Sequence, residues 1–301
     1  MLRHRSAKSL LIAAFSWAMI SAAPAPDRPQ PVALAEPNTV WVPITITKEG
    51  LASLAVDVAG KPGRMVLDTG ASSTVLFEDA LERLDVHPIG AVPVQGAAAH
   101  GEALVYRLRA LTVAGRSKPL SPVRLARPAP LEGIDGILGA DWLDRTVLAF
   151  DAPGGRIGIG ERTAEAAQGD VVVPFRQRGR IILFAGKLNG QDVTLVLDSG
   201  AATSVANAKA AALAAAASAG DARSSSIAGA AGSQRAGGSI RTLGALSVGD
   251  RVFAEKPFFV ADLPVFKSLR LTDTPGIILG LDRLKAQRFV VDYRNKTLTF
   301  R

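Results

Sequence analysis

MVLDTGASSTV at residues 65–75 returns as LVLDSGAATSV at residues 195–205. In each copy an apolar run enters an aspartate, and a Thr or Ser, a glycine and an alanine follow. The apolar residues place the strand in a core, so Asp68 and Asp198 sit where a charge is costly without a partner. The glycine, Gly70 or Gly200, permits a turn closed to larger residues and lets a second backbone approach closely. The hydroxyl of Thr69 or Ser199 can bond across to the neighbouring motif. One such motif reads as a turn after a strand; two require a common explanation.

The repetition extends along the chain. VWVPITI at 40–46 answers VVVPF at 171–175, and the turn AGKPG at 59–63 answers Asn189-Gly190, a hairpin signal. LRALTVAGR at 108–116 matches LGALSVGDR at 243–251. GILGADWLDRTVLAFDAPGGRIGI at 136–159 aligns without a gap to IILGLDRLKAQRFVVDYRNKTLTF at 277–300, pairing Gly139 with Gly280, Asp141 with Asp282 and Asp151 with Asp292. The copies run 130 residues apart at the aspartates and 141 apart at the tails, which puts the extra residues in the Ala/Gly/Ser-rich stretch 211–238. Two short helices are predicted. One carries Phe77, Ala80, Leu81 and Leu84 on one face, and the other lies in the alanine-rich run Ala206 to Ala217. The expectation is a mainly β chain of two lobes, 40–160 and 169–301, joined by the polar segment 161–168. A pseudo-twofold axis would bring Asp68 and Asp198 together at the junction.

Composition allows this. A chain of 301 residues, 48% hydrophobic, can build two small lobes with cores of their own. The absence of cysteine excludes disulfides, thiolate nucleophiles and cysteine metal sites. The net charge of +8 is partly terminal, from Arg3, Arg5, Lys8 and Arg28 against Asp27. The remainder is dispersed among acids, so no nucleic-acid partner is expected. The basic start, the apolar run SLLIAAFSWAMI at 9–20 and the small residues at 21–23 read as a signal peptide over 1–23. An uncleaved anchor is the alternative. Residues 24–39 form a Pro-rich tether, and no later apolar stretch is long enough to span a bilayer, so an exported, periplasmic or secreted protein is expected.

Two carboxylates within hydrogen-bonding distance cannot both ionise easily, because the first charge raises the second pKa. One stays protonated and the other charged. Such a pair can hold a water, take its proton as it attacks a carbonyl, and protonate the carbonyl oxygen. This is amide hydrolysis with no metal, cofactor or covalent intermediate. The chain lacks G-x-S-x-G, P-loop and H-E-x-x-H patterns. His87 and His100 have no ligand-like partner and read as loop residues; Trp41 and Trp142 read as packing. Asp141 and Asp282 are expected to cap short helices, and Asp151 and Asp292 to end strands.

With Asp68-Thr69-Gly70-Ala71, Asp198-Ser199-Gly200-Ala201, Ile137-Leu138-Gly139 and Ile278-Leu279-Gly280 in view, the chain resembles the retropepsin-like aspartic peptidases. It has two copies fused, as in the two-lobed pepsin-like enzymes. The forms ILGADWL and ILGLDRL are similar to retroelement-type proteases. The resemblance implies two β-barrel lobes, each with a short helix, and a likeness over residues 40–301. It implies Asp68 and Asp198 as catalytic residues, supported by Thr69, Gly70, Ser199 and Gly200. Gly139 and Gly280 would lie in a segment crossing under each Asp loop. A peptide or protein substrate and a monomer with an internal pseudo-dimer follow. Flaps would lie near QGAAAHG at 95–101 and AGAAGSQRAGG at 228–238. Pepsin-like enzymes usually carry Ser or Thr where this chain has Ala71 and Ala201, which implies a dyad less shifted toward acid. A non-catalytic peptide-binding protein of the same fold and a two-lobed nucleotide-dependent phosphotransferase remain as alternatives.

Overall fold

Strand Ala52–Val58 buries all but Ala55 and Asp57 and turns back as Lys61–Leu67 through Ala59 and Gly60, whose φ angles are +52° and +87°. Left-handed backbone at both turn positions matches the right-handed twist of the flanking strands. Asn189 and Gly190, at +52° and +79°, join Ile181–Leu188 to Gln191–Leu197 in the same way. Of AGKPG only the first two residues turn; Lys61, Pro62 and Gly63 already belong to the return strand. The computed structural model describes residues 39–95, 100–128, 131–163, 165–214, 223–228 and 235–301. The expected signal peptide 1–23 and all of the expected tether 24–39 but Thr39 lie outside the described residues.

From these hairpins each half builds a sheet of identical order. In the first half the strands run Arg116–Leu120, Leu108–Val113, Ala52–Val58, Lys61–Leu67, Gly136–Leu138, Val75–Phe77, Val123–Leu125, His100–Tyr106 and Pro88–Gln95. In the second they run Arg251–Val252, Leu246–Val248, Ile181–Leu188, Gln191–Leu197, Gly276–Leu279, Val205–Ala206, Phe258–Val260, Arg235–Arg241 and Arg223–Ala228. Among the described residues neither sheet closes on itself, so each lobe is an open sheet where a barrel was expected. The terminal strands are poor partners for one another: Pro88, Pro93 and Pro119 lack an N–H, and Arg116 and Lys118 charge the opposite edge. In the second half one edge is only two residues long.

A third sheet joins the halves. Its antiparallel order is Val40–Ile46, Arg156–Gly160, Val147–Asp151, Arg288–Asp292, Thr297–Phe300 and Val171–Arg178. Ala149 faces Val290 at its centre. Phe150 and Phe289 stack across the seam with ring centroids 4.9 Å apart. Asp151, buried at a strand end, accepts from Arg156 of its own lobe at 3.1 Å and from Arg288 of the other at 3.0 Å. Strands Val40–Ile46 and Val171–Arg178 each pass from the seam sheet into their own lobe's sheet. Burial of these apolar strands ties the lobes together.

Among the described residues the helices are Glu78–Glu82, Ala140–Leu143, Ala208–Ala211, Pro264–Ser268 and Leu281–Leu284, so each lobe has more than the single helix expected. The additional turns arise where Gly139 and Gly280 end a crossing strand and where Pro264 starts a helix at its preferred first position. Within the alanine-rich run the helix is Ala208–Ala211, capped by Asn207, whose Oδ1 accepts from the Ala210 amide at 2.8 Å. Trp142 is fully buried and donates from Nε1 to the Leu111 carbonyl at 2.9 Å; Trp41 lies under the Arg156 guanidinium, 4.4 Å away. His87 is exposed. Among the described residues no helix is long and apolar enough to cross a membrane.

Candidate active site

Each aspartate ends a buried strand that a second strand crosses. Gly136–Leu138 runs parallel to Met65–Leu67 and antiparallel to Val75 and Leu76, so it threads between the strand entering the first Asp loop and the one leaving it. Gly276–Leu279 occupies the same place beside Thr194–Leu197 and Val205–Ala206. The Asp68 amide donates to the Leu138 carbonyl at 3.0 Å, and the Ala140 amide to the Ala71 carbonyl at 2.8 Å. The partners in the second half are Asp198 to Leu279 at 3.1 Å and Leu281 to Ala201 at 2.7 Å. Both ends of each loop are therefore pinned by the strand beneath.

Gly139 and Gly280 make this crossing possible. A Cβ on Gly139 would fall 2.6 Å from the Ser73 carbonyl carbon, and one on Gly280 2.7 Å from the Ala201 oxygen. Both glycines have ordinary extended φ angles of −91°, so close approach is what requires them. Asp141 and Asp282 do not cap the helices that follow; those cap positions are held by the glycines. They act as braces. Asp141 Oδ1 accepts from the Thr74 amide at 2.9 Å, the Thr74 hydroxyl at 2.6 Å and the Trp142 amide at 2.8 Å. The Thr74 hydroxyl also accepts from the Gly139 amide at 3.2 Å. Ser204 repeats the link, donating to Asp282 at 2.7 Å and accepting from Gly280 at 3.0 Å. Thr74 and Ser204 were not among the sequence candidates, though each follows its Asp by six residues, a repeated hydroxyl that was there to be read.

The hydroxyls after the aspartates lock the two loops to each other. Thr69 Oγ1 donates to the Leu197 carbonyl at 3.0 Å and accepts from the Ser199 amide at 3.0 Å. Ser199 Oγ donates to the Leu67 carbonyl at 2.8 Å and accepts from the Thr69 amide at 3.1 Å. Both residues are fully buried, so all four bonds lie in a low-dielectric interior.

Asp68 and Asp198, each half-buried, lie against one another over this lock. A Cβ on Gly70 would come within 2.5 Å of Asp198 Oδ1, and one on Gly200 within 2.5 Å of Asp68 Oδ1. The two carboxyl groups are placed to share a proton in a hydrogen bond when one of them is protonated. Asp68 Oδ1 accepts the Gly70 amide at 2.8 Å and the Ala71 amide at 2.9 Å; Asp198 Oδ1 accepts the Gly200 amide at 2.9 Å.

Burial is the largest influence on both groups and lifts each above the ordinary aspartate value. For Asp68 the amides of Gly70 and Ala71 and the bond with Asp198 pull partly back. For Asp198 the charge of Asp68 and their hydrogen bond add to burial and carry it well above the usual range. The pair thus favours one shared proton, with the anion better supported on Asp68.

The outermost hairpins, Pro88–Gln95 with His100–Tyr106 and Arg223–Ala228 with Arg235–Arg241, each fall between an Asp motif and its crossing strand. The expected flap tips lie largely outside the described residues.

Comparison with protein families gives two adjacent matches. The aspartyl protease family model matches residues 54–142, and the gag-polyprotein aspartyl protease model matches residues 184–286. Each span contains one Asp loop and its crossing strand. Among curated proteins none matches the chain.

Proposed function

Because the chain belongs to the retropepsin-like aspartyl proteases, with two such domains in tandem, we propose that it is an aspartic endopeptidase whose site is completed within one polypeptide. The observation that carries this reading is the contact of the Asp68 and Asp198 carboxyl groups over the Thr69–Ser199 lock.

In this mechanism Asp68 carries the charge and Asp198 the proton. A water held between them loses a proton to Asp68 as its oxygen attacks the peptide carbonyl carbon, while Asp198 protonates the carbonyl oxygen. The resulting tetrahedral diol collapses as its hydroxyl proton returns to Asp198. The proton on Asp68 passes to the departing nitrogen, and the C–N bond breaks. The dyad ends with the one proton it began with. No side chain forms a bond to substrate. The lock contributes by holding the carboxyl groups before substrate arrives, so little reorganisation accompanies the reaction.

Ala71 and Ala201 give each aspartate a backbone amide but no hydroxyl, and both carboxyls titrate above the ordinary value. Activity therefore extends toward neutral pH instead of peaking only in strong acid. The basic start and apolar run of residues 1–20 support export, with the working protein a monomer outside the cytoplasm. The test is digestion of an unbiased peptide mixture with and without a pepstatin-like inhibitor. The intact protein should cleave and the inhibitor should stop it, whereas Asp68→Asn and Asp198→Asn, folded by circular dichroism, should leave the mixture uncut. Cleavage persisting in either variant would remove the dyad from the chemistry.

A further inference from the structure

A cavity of about 490 Å³ lies beside the first Asp loop, and its walls come from both lobes. Ser73, Arg107, Ser121 and Asp141 belong to the N-terminal lobe, whereas Arg180 stands at the turn joining Val171–Arg178 to Ile181–Leu188 in the C-terminal lobe. The cavity therefore opens on the lobe junction, as the dyad does. The corresponding turn of the N-terminal lobe supports this placement. A Cβ on Gly50 would lie 3.9 Å from the Ala202 Cβ, four residues beyond Asp198. Each lobe's first hairpin thus reaches the segment that follows the other lobe's catalytic loop.

The charges in this cavity are unbalanced. Arg107 and Arg180 are exposed, and among the described residues neither guanidinium has an acidic partner. The one acid in the wall, Asp141, has its Oδ1 occupied by the Thr74 amide and hydroxyl and the Trp142 amide. Two arginines without acidic partners in the wall of an open cavity suit a carboxylate, which a planar guanidinium can bind through two parallel hydrogen bonds.

We propose that Arg107 and Arg180 form a substrate subsite that selects a carboxylate, so that the enzyme favours peptides acidic near the cleaved bond. This inference rests on the peptidase reading above. Five residues separate Ser73 from Asp68, a span of at most roughly 18 Å, so the selected group falls within about five residues of the bond cut in an extended peptide. The carboxylate can be an Asp or Glu side chain or a chain end.

The experiment uses internally quenched peptides in which Glu or Gln is scanned through five positions on each side of a common cleavage site. Each is made with an amidated and with a free C-terminus. At one position Glu should raise kcat/KM roughly three- to tenfold over Gln, as expected for charge pairing at an exposed site. The preference should shrink as salt is added. It should disappear in the Arg107→Gln/Arg180→Gln double variant, and Arg180→Glu should turn it toward Lys. A gain confined to free C-termini, and lost in the same variants, supports the carboxylate site and identifies a chain end as its source. Equal rates for Glu and Gln everywhere, with no gain from a free end, overturn the proposal, as does a preference the arginine variants leave intact. Fluorescence anisotropy with the same peptides, labelled, separates the two claims. Arginine-dependent binding of acidic peptides without cleavage refutes the peptidase reading and leaves the subsite standing; cleavage without preference does the reverse.

Discussion

Replacing Ser199 by alanine removes one oxygen and tests the lock on which the site stands. That oxygen accepts from the Thr69 amide at 3.1 Å and donates to the Leu67 carbonyl at 2.8 Å, in a residue with no exposed surface. No water reaches the position, so the substitution strands one buried donor and one buried acceptor. At about 1–3 kcal/mol for each of the two unpaired groups, Ser199→Ala should cost roughly 2–6 kcal/mol. For a chain of 301 residues that is about 3–10 °C in Tm. Thr69→Val should do likewise by abandoning the Ser199 amide and the Leu197 carbonyl. Both hydroxyls hold the same pair of loops, so the double variant should lose less than the sum of the single losses. Urea unfolding followed by tryptophan fluorescence reads the change, since Trp142 is buried. Peptide turnover should fall by about a hundredfold, because displacement of catalytic groups by about 1 Å costs that much. A stability change below about 0.5 kcal/mol, the range of ordinary surface substitutions, would refute the reasoning.

Gly200→Ala should abolish turnover, since its Cβ would sit 2.5 Å from Asp68 Oδ1 and push that carboxyl about 1 Å away from its partner; wild-type kcat in a folded variant would count against the close pairing. Asp282→Ala should destabilise more than Asp141→Ala. The first leaves Arg283, 3% exposed, without its carboxylate, a loss of about 3–5 kcal/mol, whereas the second strands only neutral groups; thermal melts giving the opposite order would contradict this. Burial alone would raise the Asp151 pKa, but Arg156, the Gly154 amide and Arg288 outweigh it and hold it below the ordinary value. Its folded pKa is therefore depressed, so its contribution to stability is full above about pH 3.9 and drains away as pH falls through the folded value. Urea midpoints measured downward from pH 5 should decline less steeply in Asp151→Asn than in wild type, and identical slopes would show that Asp151 is not the group being titrated.

The repeat carried much of the architecture because each element of a lobe was present twice and could be read against its copy. Asn189-Gly190 identifies a hairpin by itself; Ala59-Gly60 is recognisable chiefly because it holds the same place. Gly139 and Gly280 stand out by the same comparison. Pairings between the copies were less legible. Hydrophobic Val147–Asp151 and Arg288–Asp292 each read as a strand, but apolar patterning does not show that they pair with one another. The bond from Arg288 to Asp151 spans 137 residues and has no local signal. The expected barrels failed for a related reason, since alternation within strands is the same whether a sheet closes or ends at proline-bearing edges. The capping role expected of Asp141 gave way to bracing, because Gly139 holds the cap position and Asp141, one residue inside the helix, bonds the Thr74 amide and hydroxyl beside the crossing strand as well as the Trp142 amide.

The central claim is one proton shared by Asp68 and Asp198, and carboxyl ¹³C NMR of protein labelled at aspartate tests it most directly. Titrated from pH 3 to 8, one carboxyl should remain protonated after ordinary aspartates have ionised near pH 3.9. In Asp68→Asn the Asp198 titration should move down, because the charge and hydrogen bond that raised it are gone. Two independent titrations near the ordinary value, with Asp198 indifferent to the loss of Asp68, would contradict the account.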